Sequence, residues 1–217
     1  MIARIKAEWR LKLALFLVAN AVFWSGYQFL GRCEFFPLRE VPLTWLDRAV
    51  GYQPNGWVWV YLSQYVFTLA LPLLLTTREA LRRYGWTLAL MGGGAFAVFL
   101  FFPTPGPRPL EVGKNAAMQF LATADAPMNA LPSLHAAFIA CMAMLAWRMF
   151  GVRALVVAAV WGGAILFSTL ATKQHYALDL PAGLLLGWLA DAIAWRGASD
   201  AAMMPVSDGV MSQRGAR

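Results

Sequence analysis

The stretch "ALVVAAVWGGAILFSTLATKQHYALD", residues 154–179, decides how the chain is read. Its first nineteen residues carry no charge. A helix needs roughly 20 apolar residues to cross a bilayer core of about 30 Å. Its last seven residues then bring a lysine, a histidine and an aspartate close together. An apolar span that ends in ionisable residues is a pattern that recurs outward along the chain.

Charge-free runs also separate Lys12 from Arg32, Arg48 from Arg78, Arg83 from Arg108, and Asp125 from Arg148. A sixth apolar run follows Asp179 and is broken only by Asp191 before Arg196. Hydrophobic residues make up 60% of the 217 positions and charged residues 13%, against about a quarter charged in a soluble domain. The pattern predicts an all-α integral membrane bundle of six transmembrane helices near 12–30, 56–76, 84–103, 133–150, 154–171 and 176–195. The expected organisation is a single membrane domain over 1–196 and a polar, disordered cytoplasmic tail over 197–217. Arg4, Lys6, Arg10 and Lys12 precede the first run as they would in a signal peptide, but no small-x-small cleavage site follows, so it reads as a retained span.

Lysine and arginine are distributed unevenly between the connections. Twelve lie in the N-terminus, the 77–83 and 148–153 loops and the tail. The other six are Arg32, Arg39, Arg48, Arg108, Lys114 and Lys173. The positive-inside rule therefore places both termini in the cytoplasm. The net charge of +7 reflects this asymmetry. No basic stripe with interleaved aromatics calls for nucleic acid, and the expected partners are membrane lipids. Cys33 and Cys141 set no disulfide framework. "GLLLG" at 183–187 and "GGG" at 92–94 read as close helix contacts. Asp191 reads as a solvated residue near the inner interface.

Three polar stretches fall on the outer face under this orientation: "PTPGPRP" at 103–109, "NALPSLH" at 129–135 and "STLATKQHYALD" at 168–179. Both histidines of the chain, His135 and His175, lie in them. His175 and Asp179 are four apart, so a helix would stack them, and a carboxylate on one imidazole nitrogen leaves the other free as nucleophile or base. Pro132 and Ser133 suit a helix start, whose open N–H groups bind anions. Arg108 and Lys173 are cations able to reach the same place. Together these residues make a plausible phosphoryl-transfer site, with Arg108, Ser133 and Lys173 as candidate phosphate ligands.

At this point the chain resembles the type 2 phosphatidic acid phosphatase superfamily of six-span membrane enzymes. The pattern of that family is K-x6-R-P, P-S-G-H and S-R-x5-H-x3-D. Arg108-Pro109 matches the end of the first part, and Pro132-Ser133-Leu134-His135 matches the second with Leu for Gly. Ser168, His175 and Asp179 match the third. The resemblance covers roughly residues 100–190. It implies that His175 attacks phosphorus to form a phosphohistidine, that Asp179 orients it, and that His135 protonates the leaving oxygen. It further implies that Arg108, Ser133 and Ser168 hold the phosphate, and that neither metal nor cofactor is needed. Two family cations are replaced, by Phe101 and Thr169, with Lys173 or Lys114 as possible substitutes. "PSLH" and "KQHYALD" are similar to the inositol phosphorylceramide synthase branch, whose members use an alcohol as acceptor.

The expected function is a phosphatase acting on a lipid phosphate or diphosphate in a bacterial inner membrane, its site facing the periplasm or exterior. A lipid phosphotransferase is the alternative. A zinc hydrolase on His135, His175 and Asp179 lacks an HExxH-type ligand pair. A transporter would place polar residues near the midplane, whereas these sit at one edge. The orientation is testable with single cysteines at positions 114 and 210 in a background lacking Cys33 and Cys141. In intact cells an impermeant maleimide should label position 114 and spare position 210; the reverse would invert the topology.

Overall fold

The computed structural model describes residues 1–109 and 111–198, which form helices and turns without a strand. A short α1 (Ile2–Lys6) leads into α2 (Trp9–Leu30), and a short α3 (Trp45–Ala49) precedes α4 (Pro54–Ala70), which a 3-10 turn at Pro72–Leu74 extends. There follow α5 (Arg78–Phe101), the short α6 (Ala116–Ala124), α7 (Leu134–Phe150), α8 (Val152–Ala171) and α9 (Asp179–Ala194). Among the described residues, α2, α4 with its turn, α5 and α8 are long and apolar enough to cross a membrane. Helix α7 is apolar but has 17 residues, and α9 has 16 and begins on Asp179. The expected tail lies, from residue 199 on, outside the described residues.

The six long helices fall within a few residues of the expected spans, and the deviations have local causes. Helix α5 starts at Arg78 because the Thr77 hydroxyl accepts from the Ala80 amide at 3.1 Å. Arg82 and Arg83 then pair with Glu79 one turn away. Helix α9 starts only at Asp179, so His175–Leu178 form a turn and not the helical face that four-residue spacing would give. Two short helices sit in the long connections. Thr44 and Asp47 form a reciprocal capping box on α3, and the Asn115 side chain caps α6.

Helices α7 and α9 form the centre of the bundle. Along α9, a Cβ on Gly183 would collide with the Ser133 carbonyl, and one on Gly187 with the Ala137 carbonyl. The glycines are therefore there for backbone approach, as small residues are between membrane helices. Gly92 and Gly94 do the same more loosely, against Phe23 and Leu186, while Gly93 faces open space. The principal core gathers Met91, Met142, Leu145, Ile165 and Ala190. Helix α2 stands at the edge, leaning on α5 through Phe23 and Phe96, whose centroids are 5.7 Å apart.

Hydrogen bonds fix which helix ends meet. Gly31 accepts from Met128, Thr104 donates to Met128, Ala171 accepts from Gln53, and Ser133 donates to Asp179, all through the backbone. One end of the bundle thus collects the three polar stretches. At the other end Arg83 reaches the Ala194 carbonyl and Arg148 pairs with Asp191. Asp191 departs from the sequence reading: it is 1% exposed, held by both Arg148 nitrogens at 2.5 and 2.8 Å. The core closes over it because Arg148 lies across Trp195, 5.0 Å from the ring centroid.

Gly183→Val should disrupt the α7–α9 contact. Overpacking of this kind costs about 1–3 kcal/mol, and thermal unfolding in detergent should show a lowered midpoint, with Gly93→Ala as the tolerated control.

Candidate active site

The start of α7 and the turn before α9 build the centre of the site. Ser133 is the N-cap of α7, its hydroxyl accepting from the Ala136 amide at 3.3 Å. Its own amide donates to the Asp179 carbonyl at 3.1 Å, which locks the start of α7 to the start of α9. His135, one residue into α7, then faces His175 across 3.2 Å, Nδ1 to Nε2. The Tyr61 ring packs on His135 with centroids 4.7 Å apart, and Gln64 Nε2 donates to the His135 carbonyl at 3.2 Å.

The tautomer of His175 follows from its partners. Nδ1 lies 3.0 Å from the Ala130 carbonyl and 3.3 Å from Asp179 Oδ2. A carbonyl oxygen only accepts, so Nδ1 carries the proton and Nε2 presents its lone pair. Asp179 Oδ2 also accepts from the Tyr176 amide at 2.8 Å, and its carboxylate is wholly buried. The imidazole is thereby fixed in orientation on one side and open on the side facing His135.

The remaining candidate residues are distributed unequally. Arg108 joins the centre through Gln174, the neighbour of His175, whose side-chain oxygen accepts from Nη1. Its Nη2 donates to Asp125 Oδ2 at 2.8 Å and to the Ala126 carbonyl at 2.9 Å. Ser168 lies inside α8, fully buried, and donates to the Ile165 carbonyl at 2.6 Å. Lys173 points to α3, donating to the carbonyls of Asp47 at 3.1 Å and Val50 at 2.5 Å. Its backbone is left-handed, φ 55, because it closes α8: Lys173 donates to Leu170 and Gln174 to Thr169. A lysine in this position costs about 1–2 kcal/mol more than glycine, and its ammonium makes two hydrogen bonds to the end of α3. Among the described residues no three His, Cys, Asp or Glu side chains gather as a metal-ligand set.

Several side chains that shape the site carry no motif. Asp125 holds Arg108 with one oxygen and accepts from the Tyr27 hydroxyl with the other. Asn129 donates to the Tyr27 carbonyl at 3.2 Å. Asp47 accepts from the Ala177 amide at 2.8 Å, just past His175. Burial works to raise the Asp47 carboxyl, but hydrogen bonds from Thr44 and Ala177 and the nearby Lys173 charge outweigh it and hold it below the ordinary carboxylate range. That link is therefore present above the usual carboxylate pKa and lost only as pH falls through the lowered value. The one available sequence signal was that Asp125 is a lone acid at the edge of an apolar run.

Residues 55–193 match the profile of the PAP2 superfamily. The chain belongs to the PAP2 superfamily. No curated protein and no solved structure matches it. Membership makes the chain a membrane enzyme of the phosphatase or phosphotransferase type acting on lipid phosphates.

Asp125→Ala should free Arg108 and Tyr27 together. KM for a phosphate substrate should rise about tenfold, roughly 1.4 kcal/mol, with a smaller change in kcat, and Asp125→Asn should restore part of it. Steady-state kinetics in mixed micelles reads this directly, and an unchanged KM would separate Asp125 from the site.

Proposed function

We propose that the protein is a membrane-embedded phosphatase that hydrolyses a lipid phosphomonoester or diphosphate at the outer leaflet through a phosphohistidine. The observation that carries this is the His175 imidazole, anchored at Nδ1 by Ala130 and Asp179 and open at Nε2 toward His135. Nε2 attacks the terminal phosphorus, and the bond from it to the leaving oxygen breaks. His135 acts as the general acid that gives the leaving oxygen a proton, so a phosphomonoester departs as the lipid alcohol and a diphosphate as the lipid monophosphate. Water then attacks the phosphohistidine with His135 as base, releasing inorganic phosphate and restoring Nε2. The rings, 3.2 Å apart, part to admit the phosphoryl group.

In this reading Arg108 and the first turn of α7 receive phosphate oxygens. Six spans with both termini in the cytoplasm of a bacterial inner membrane would put this end of the bundle at the periplasm or exterior. The lysine and arginine asymmetry supports that orientation. Transfer to an alcohol needs a pocket that holds the acceptor. Two hydrogen-bonding side chains that could hold one are already engaged, Gln174 by Arg108 and Asn129 by Tyr27. Water is therefore the acceptor favoured here.

His175→Ala should bring turnover below a tenth of wild type while the protein stays folded. His135→Ala should slow alkyl phosphates by about 10²–10⁴-fold and activated aryl phosphates much less. The acceptor is decided by single-turnover partitioning of a labelled lipid phosphate with inositol or glycerol present. Inorganic phosphate should predominate; a phosphorylated alcohol or new phosphodiester as the main product would overturn hydrolysis.

A further inference from the structure

The turn that carries His175 is gripped from outside the motifs. Lys173, two residues before it, donates to the Asp47 and Val50 carbonyls at 3.1 and 2.5 Å. The Ala177 amide, two residues after it, donates to Asp47 Oδ1 at 2.8 Å. The Gln53 amide donates to the Ala171 carbonyl at 2.8 Å. The chain is therefore held on both sides of the histidine by α3 and the residues that follow it. Apolar packing closes the same contact: Val50 is buried with Leu170, Ala171 and Leu180, and Leu46 and Ala177 pack against them. The other Asp47 oxygen, Oδ2, accepts from the Thr44 amide and hydroxyl at 2.8 and 2.7 Å. Oδ1 is thus presented to the turn by a carboxylate that cannot swing.

A second observation is the outward side of α3, which is apolar and bare. Trp45 is 77% exposed and Leu43 54%. Their level in the bundle decides what covers them. Gln53 is the N-cap of α4, and Ala171 is the last residue of α8, two helices long enough to cross a membrane. Helix α3 is therefore bonded where two spans end, the depth at which tryptophan prefers to lie. The chain leading into it mixes Glu34, Arg39 and Glu40 with exposed Phe35 and Leu38, a composition suited to the boundary between headgroups and hydrocarbon.

We propose, resting on the reading of His175 as nucleophile, that α3 is an interfacial latch. The lipid headgroup layer at this end of the bundle seats Trp45 and Leu43, and Asp47 passes that seating to the turn. Asp47 is a positioning residue: it acts on no reacting atom, only through the Ala177 amide on the set of the His175 ring. The lipid seat of α3 therefore governs kcat. KM depends little on it, because Arg108 and the first turn of α7 are held by other bonds.

The test uses the full chain in nanodiscs of phosphatidylethanolamine and phosphatidylglycerol. Asp47→Ala should lower kcat about tenfold, within what a small misplacement of a reacting group produces, with KM little changed. It should also speed hydrogen exchange across 173–178. Thr44→Ala, which removes the capping hydroxyl and leaves Oδ1 on Ala177, should do neither. Equal losses in the two variants, or a loss confined to KM, reduce Asp47 to a helix cap and overturn the proposal. Trp45→Ser should cut kcat several-fold by itself and add nothing to Asp47→Ala; additive losses overturn the coupling. The seat is read with a bimane attached after Trp45→Cys in a background lacking Cys33 and Cys141. A phospholipid with a headgroup nitroxide should quench it more than soluble iodide does. Quenching by iodide alone, or disulfide-linked dimers through position 45 in place of lipid quenching, gives the face to water or to a second copy and overturns the latch. Intact exchange and quenching results without phosphate release from any lipid phosphate would sink the phosphatase reading and leave the latch standing. Phosphate release with exchange unchanged in Asp47→Ala would do the opposite.

Discussion

The close approach of α7 to α9 is the constraint on which the site depends. Gly183 and Gly187 let the α9 backbone lie against the Ser133 and Ala137 carbonyls. With the helices that near, the Ser133 amide reaches the Asp179 carbonyl, and the two helix starts become one rigid corner. His135 follows the first start by two residues and His175 precedes the second by four, so the corner sets the two rings 3.2 Å apart. His135 is carried by a helix start and His175 by the short turn held between α8 and that corner, a more exact support than a free loop would give.

Around that corner, buried polar groups are paired in a way that leaves little freedom. Ala130 and Asp179 hold one face of His175, Gln174 and Asp125 hold Arg108, and Lys173 ties the end of α8 to α3. Because unpaired buried groups are costly, these bonds brace the connections that would otherwise be the loosest parts of the chain. Arg148 and Asp191 play the corresponding part at the opposite end, where they tie α7 to α9 a second time. The same reasoning gives the two unpaired acceptors near the site, Gln64 Oε1 and Asp179 Oδ1, their interest.

The bundle is asymmetric in a way that suits a lipid substrate. Helix α7 packs tightly against both α8 and α9, whereas α2 leans on α5 and leaves an apolar groove beside α4. His135 belongs both to the polar cluster, facing His175, and to the lining of this apolar groove. A phosphate on a long chain needs both environments at once.

The amino-acid sequence by itself determined the helical class, the six apolar helices and the gathering of three polar stretches at one end. Hydropathy and charge are local properties that survive whatever the chain does elsewhere. It also determined the pairing of His175 with Asp179, since four residues separate them under either a helix or the observed turn. Tertiary structure decided the rest. Asp125 grips Arg108 across 17 positions, and Tyr27 reaches Asp125 across 98. Lys173 turns to α3, 126 residues away, and not to the histidines, because closing α8 sends its side chain there. Asp191 is buried only because Arg148, 43 residues earlier, meets it across the helix pair. Partners so distant leave no periodicity or spacing in the chain; they exist only once packing has brought the helices together.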